Sequence, residues 1–150
     1  MNPKIIFEDN HLLVVNKPPG MLSQGDSTGD LSLLDHLKNL IKKRDKKTGN
    51  VFLGLPHRLD RPTSGIIVLA KSSKSLRRLN KIFFNNEIIK IYWVIIEGKP
   101  ASDKKRLIHY LKRNRKINKS FVVNKDVKES KKSELVYKVL KKFKNYSLLE

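Results

Sequence analysis

The residues best suited to chemistry in this chain stand together in His57-Arg58-Leu59-Asp60-Arg61-Pro62-Thr63-Ser64-Gly65. Asp60 is an acid between two arginines, set just before a Thr-Ser-Gly turn that opens the apolar run Ile66-Ile67-Val68-Leu69-Ala70. A carboxylate there is expected to be partly desolvated, which raises the cost of its charge, and flanked by guanidinium groups, which favour its ionised form. Such surroundings are typical of functional acids. An Asp that only caps a turn or pairs with an arginine fits the same residues. The four histidines, His11, His36, His57 and His109, are too scattered to form a ligand set, and no acidic cluster suits magnesium. Neither a metal nor a cofactor is expected.

The elements that must position Asp60 follow from the hydrophobic pattern. Lys4 to Phe7 and Leu12 to Val15 read as two strands joined by a turn at Glu8-Asp9-Asn10-His11. Lys17-Pro18-Pro19-Gly20 and the stretch Ser23 to Asp30 form a glycine-containing loop, either a plain connection or one that approaches a ligand. Ser32-Leu33-Leu34-Asp35 resembles a capping box, and Leu33, Leu34, Leu37, Leu40 and Ile41 recur at helical spacing, which predicts a helix over 32–43. His36 reads as a surface or boundary residue of that helix. The run Ile66 to Ala70 predicts a strand buried on both faces. Ser72 or Ser73 can cap a second helix, over 73–85, with Leu76, Leu79, Ile82 and Phe83 as its apolar stripe. Ile88 to Ile96 reads as another interior strand.

From Ala101 to Ser133 the chain reads as basic and irregular, with Lys104-Lys105-Arg106 and Lys112-Arg113-Asn114-Arg115-Lys116 as its densest clusters and short strands at 107–111 and 121–123. A final strand pair is expected from Leu135 to Leu149. The whole gives an α+β fold, a mixed and largely antiparallel sheet with helices against it, in one domain of 150 residues.

Lys and Arg number 33 against 14 Asp and Glu, a formal net charge of +19. That charge calls for a polyanionic partner: RNA, DNA or an anionic membrane surface. There is no cysteine, which excludes disulfides, thiolate metal sites and a Cys nucleophile. Acids interrupt the N-terminus before a signal-peptide apolar region can form, and no run approaches the ~20 apolar residues of a membrane span. A soluble, cytoplasmic protein is expected.

The stretch His57 to Gly65, with Ala70-Lys71 closing the strand, resembles the H-R-L-D-x-x-T-S-G signature of the RluA-type RNA pseudouridine synthases. Glu8 to Gly20 is similar to that family's opening strand pair and loop, and Lys90-Ile91-Tyr92 with Val94 and Gly98 resembles its K-x-Y strand, so the likeness spans nearly the whole chain. The resemblance implies an isomerase that turns uridine into pseudouridine in ribosomal or transfer RNA without a cofactor. Asp60 would be the nucleophile, attacking the ribose or assisting formation of a glycal while uracil rotates. A hydrolysing glycosidase normally uses a second acid, and no convincing partner to Asp60 stands out. By the same resemblance Tyr92 would stack on the base and help remove the C5 proton, and Arg58 would fill the space left by the extruded nucleotide. His57, Arg61 and Thr63 would line the RNA site, and Lys112, Arg113 and Arg115 would follow the backbone.

The chain departs from the family pattern at its end. Tyr146 to Glu150 stops where the family continues to a G-R-x-H-Q-I-R segment whose arginine pairs with the aspartate, so a domain incomplete at its C-terminus is expected, with weak or no activity alone. No S4-like module is expected before the first strand. A non-catalytic RNA-binding member is the competing reading. A DNA or membrane-surface protein relying on charge alone leaves the Asp60 motif without a purpose.

Overall fold

The computed structural model of the chain describes residues 2–117 and 119–150. Its contacts divide the chain into two compact units, Met1–Ile89 and Lys90–Glu150. In place of the single sheet expected from the sequence, each unit has its own, and every strand pair is antiparallel. The α+β class holds.

The first unit contains β1 (Lys4–Glu8), β2 (Leu12–Lys17), α1 (Leu33–Arg44), β3 (Gly65–Ala70) and α2 (Ser73–Phe84), with sheet order β1-β2-β3. The β1–β2 turn forms because the Asp9 carboxylate accepts from the backbone N–H groups of His11 (2.7 Å) and Leu12 (2.6 Å). The register sets Leu13 against Leu69 and Val15 against Ile67, so all four point to one face. Leu33, Leu37 and Ile41 of α1 pack onto that face and complete the buried core. Ser32 caps α1, accepting from Asp35 N and donating to Asp35 Oδ2 (2.6 Å). Ser72 caps α2 through a reciprocal capping box with Ser75.

Glu8 ties three elements together. Its carboxylate accepts from both terminal nitrogens of Arg44, at the end of α1 (2.6 and 2.8 Å), and from Lys71, just after β3 (2.7 Å). The Arg44 guanidinium above all, helped by Lys71 and opposed by partial burial, pulls the Glu8 pKa down from 4.5 to about 2.

Strand β3 is not buried on both faces. Ile67 and Leu69 are fully covered, but Ile66 is 51% exposed and β3 lies at the sheet edge. Its outer side is closed by the loop before it: Gly54 bridges Ala70 through two backbone hydrogen bonds (2.8 and 2.9 Å). Residue 54 must be small, since Leu76 of α2 comes within 2.6 Å of the place a Cβ would occupy.

The second unit is a sheet of order β4-β8-β7-β5-β6, built from β4 (Val94–Glu97), β5 (Lys104–Asn114), β6 (Lys119–Val123), β7 (Lys131–Lys142) and β8 (Tyr146–Leu149). The short strands expected at 107–111 and 121–123 are present, but the basic stretch around them is more strand than the irregular chain expected, because β5 and β7 pair continuously from Lys104↔Lys138 to Leu111↔Lys131. The expected interior strand over 88–96 is reduced to β4, an edge strand on which Val94 and Ile95 are exposed.

Candidate active site

Asp60 sits on a turn closed by a hydrogen bond from Thr63 N to the Asp60 carbonyl (3.0 Å). Both neighbours of the aspartate are fixed from the end of β2 and the loop that follows it. On one side the buried Ser23 hydroxyl donates to Leu59 O (2.6 Å) and accepts from Leu59 N (3.1 Å), satisfying both backbone groups of the residue before Asp60. On the other side, Arg61 O accepts from Gly20 N (2.8 Å) and from the Lys17 ammonium (3.3 Å). Gly20 adopts φ +82°, a conformation that few other residues take. The aspartate is thereby held at backbone level by partners some forty residues away in sequence.

Lys17 is the centre of this arrangement. Its side chain is fully buried, and its ammonium donates to three carbonyls, those of Met21 (2.8 Å), Pro18 (3.1 Å) and Arg61. Burial pushes its pKa down, and the negative charge of nearby Asp60 opposes the shift.

The Asp60 carboxylate departs from expectation. The residue is exposed, not desolvated, and among the described residues no ion pair reaches it. Arg61 is occupied elsewhere: its guanidinium pairs with Asp30 (2.8 Å) and donates to Gly20 O (3.0 Å). Among the described residues the flanking-arginine clamp expected at Asp60 is not formed: Arg61 braces the loop, and Arg58 is exposed and makes no ion pair with the aspartate. A cleft of about 410 Å³ opens against Arg61, lined by residues 18–22, Asp30 and Leu31.

His57 is built into the scaffold. Its Nε2 accepts from Val68 N (3.0 Å) on the outer side of β3, so that nitrogen carries no proton, and its ring stacks on Phe83 of α2 with centroids 4.7 Å apart. Thr63 is half-buried in the turn after Asp60. His57, Arg58, Asp60, Arg61 and Thr63 therefore share one segment of the first unit. Tyr92 belongs to the second unit, 50% exposed and in the irregular stretch before β4. Lys112 and Arg113 lie on β5, and Arg115 in the turn that follows. Among the described residues no cluster of His, Asp and Glu is assembled that would hold a metal ion.

Sequence reasoning missed Lys17 and Ser23 as site residues. The signal for Lys17 was present: it continues the inward alternation of Leu13 and Val15, where a lysine needs a partner for its charge. Nothing local marked Ser23.

A family model described as RNA pseudouridylate synthase matches residues 11–150. The chain belongs to that family. Relatives include the ribosomal large subunit pseudouridine synthase C of Buchnera aphidicola, 34% identical over 97% of this chain and 44% of its own length. The ribosomal large subunit pseudouridine synthase D of Borreliella burgdorferi is 35% identical over 97% of this chain and 45% of its own length. The chain thus spans a little under half the length of these relatives. The structure of human RNA pseudouridylate synthase domain containing 4 aligns with a TM-score of 0.79 at 24% identity, over 97% of this chain and 57% of the human one. At that identity the likeness establishes the pseudouridylate synthase fold. No helix among the described residues is long and apolar enough to cross a membrane.

Proposed function

We propose that this chain carries the nucleophile of an RNA pseudouridine synthase, isomerising uridine to pseudouridine with Asp60 as the attacking group. The observation that carries the reading is the two-sided backbone anchoring of Asp60 by Ser23, Gly20 and Lys17, which leaves the carboxylate open to a substrate while its main chain stays fixed. In the reaction the bond from C1′ to N1 breaks as the carboxylate oxygen takes C1′. Uracil then turns, C5 bonds to C1′ in place of the carboxylate, the C5 proton departs and N1 gains one. No atom is added, so a single carboxylate suffices.

The exposed Tyr92 is the candidate for stacking on the base and accepting the C5 proton, and the exposed Arg58 for filling the space an extruded nucleotide leaves. The printed names of the two bacterial relatives favour ribosomal over transfer RNA, and such a substrate is met in the cytoplasm. A second reading, a non-catalytic RNA-binding protein, draws on the Asp60 carboxylate having no ion pair among the described residues.

Chemical mapping of pseudouridine in cellular RNA treated with the purified chain decides between them. The expected result, for a chain under half the length of its relatives, is weak conversion at defined uridines that disappears with Asp60→Ala. RNA binding equal in both forms, with no conversion in either, would sink the catalytic reading.

A further inference from the structure

Strands β6, β5 and β7 present two faces that both carry cations but differ in their aromatic rings. Side chains alternate across a strand, and the register aligns them: Tyr110 stands opposite Val123 and Lys132, and Lys112 opposite Phe121, so these residues share one face. Arg106 and Lys119 belong to it by the same alternation. The ion pairs agree, because Glu134 accepts from both Arg106 (2.6 Å) and Lys132 (3.3 Å), which only residues on one face can do. The opposite face sets the aliphatic Leu107, Leu111, Val122 and Leu135 among Lys105, His109, Arg113 and Lys131, and its Tyr137 donates its hydroxyl to the Ser102 carbonyl (3.2 Å).

On the face that bears Lys112, Lys119 and Lys132, Phe121 is 48% exposed and Tyr110 half-buried, and among the described residues neither ring stacks on another. An exposed ring and a half-buried one set among lysines on one face of a sheet combine the two features that hold unpaired nucleic acid, a surface for base stacking and cations for phosphate. Charge alone would take any polyanion. The rings discriminate, since a duplex keeps its base faces stacked inside while an unpaired strand offers them.

We propose that the face of β6-β5-β7 bearing Tyr110, Lys112, Phe121 and Lys132 is a binding platform for unpaired RNA. Bases stack on Tyr110 and Phe121, and Lys112, Lys119 and Lys132 hold the phosphates. The proposal deepens the reading that RNA is the substrate, and rests on it.

Adjacent residues on opposite faces supply the test. The full 150-residue chain, Phe121→Ser and Val122→Ser are titrated with a short single-stranded RNA of mixed sequence and with a duplex of equal length. Phe121→Ser is expected to weaken single-strand binding about tenfold, from the usual worth of one base–aromatic stack. Duplex binding changes little, and Val122→Ser behaves as the parent. A second variant guards against misfolding: Phe121→Trp in a Trp93→Phe background should keep the affinity and lose its fluorescence on adding the single strand but not the duplex. Equal losses for Phe121→Ser and Val122→Ser, or an unquenched Trp, overturn the platform while leaving RNA binding intact. Self-association lost with Phe121→Ser, without a change in RNA affinity, assigns the face to a second copy and overturns it too. Failure of every form to bind RNA overturns the reading of RNA as partner, whatever the faces do.

Discussion

The first unit buries its apolar side chains and the second displays them. Leu13, Val15, Ile67 and Leu69 line one face of the small sheet and are sealed by Leu33, Leu37 and Ile41 of α1, whereas between Lys90 and Glu150 only Ser147 and Leu149 among the described residues are buried. Both sheets are antiparallel, so the backbone ladder is not the difference. What differs is a helix laid on a face. The first unit is stabilised by apolar area removed from water, at ~25 cal/mol per Å². The second depends on its ladder and on cross-strand pairs worth ~0.2–1 kcal/mol each. A unit held by a core can fix an aspartate in place. A sheet exposed on both faces is free to use those faces for a ligand.

Truncation at matched leucines tests this contrast most severely. Leu37→Ala removes a fully buried side chain from the α1 seam and is expected to destabilise the chain by ~2–5 kcal/mol in urea unfolding. Leu135→Ala, at a position 54% exposed, should cost less than ~1 kcal/mol. Equal costs at the two positions would mean that the exposed sheet has a core of its own.

Lys17→Met sharpens the comparison within the site. It leaves the carbonyls of Pro18 and Met21 without their donor and weakens the hold on Arg61, an expected loss of ~2–4 kcal/mol. Because burial lowers the Lys17 pKa in the folded chain, the unfolded chain binds its proton more tightly, so stability rises with pH between that lowered value and the ordinary 10.5. The rise should be missing in Lys17→Met. A methionine variant that melts like the parent, with the same pH slope, would remove Lys17 from its supporting place under Asp60.

Glu8→Gln addresses the staple joining β1, α1 and β3. The folded pKa of Glu8, about 2, lies below its ordinary 4.5, so its contribution is complete above about pH 4.5 and is lost as the pH falls towards 2. Screening around the half-exposed Arg44 reduces the expected cost at neutral pH to ~1–2 kcal/mol. Urea unfolding of parent and variant at pH 7 and pH 3 should show a gap that narrows in acid. A gap that widens would reverse the assignment.

The same physics explains what could be read from the residues alone. Helix α1 was legible because Ser32 and five apolar residues at helical spacing agree on it, and it begins and ends within one residue of the expected 32–43. Ile66 to Ala70 was misjudged because an apolar run does not reveal whether its far side meets a helix or a loop, and here Gly54 and His57 close it. Between Lys104 and Lys142 only the apolar cores of the strands, at 107–111, at 121–123 and from Leu135, were legible; their full lengths were hidden by lysines, because wet faces show little hydrophobic alternation. At the site, Asp60 stood out through its motif, but its anchors did not. A serine in a loop looks like a surface residue until the fold brings Ser23 to Leu59, and the inward phase of Lys17 in its strand does not name Arg61 as its partner.

The smallest effect on stability distinguishes the units most sharply by function. Lys131 and Lys132 are neighbours on β7 that point to opposite faces, both exposed, and replacing either with alanine should change unfolding by less than ~0.5 kcal/mol. Their effects on RNA should diverge. Each phosphate contact with a single strand contributes about 0.7 to the slope of log affinity against log salt, so Lys132→Ala is expected to flatten that slope by about that amount and Lys131→Ala to leave it unchanged. Unequal slopes at equal stability would place the second unit's selective pressure on its surface. Equal slopes would mean that the charge of +19 acts as a diffuse field around the chain, and that the difference between the units is one of packing alone.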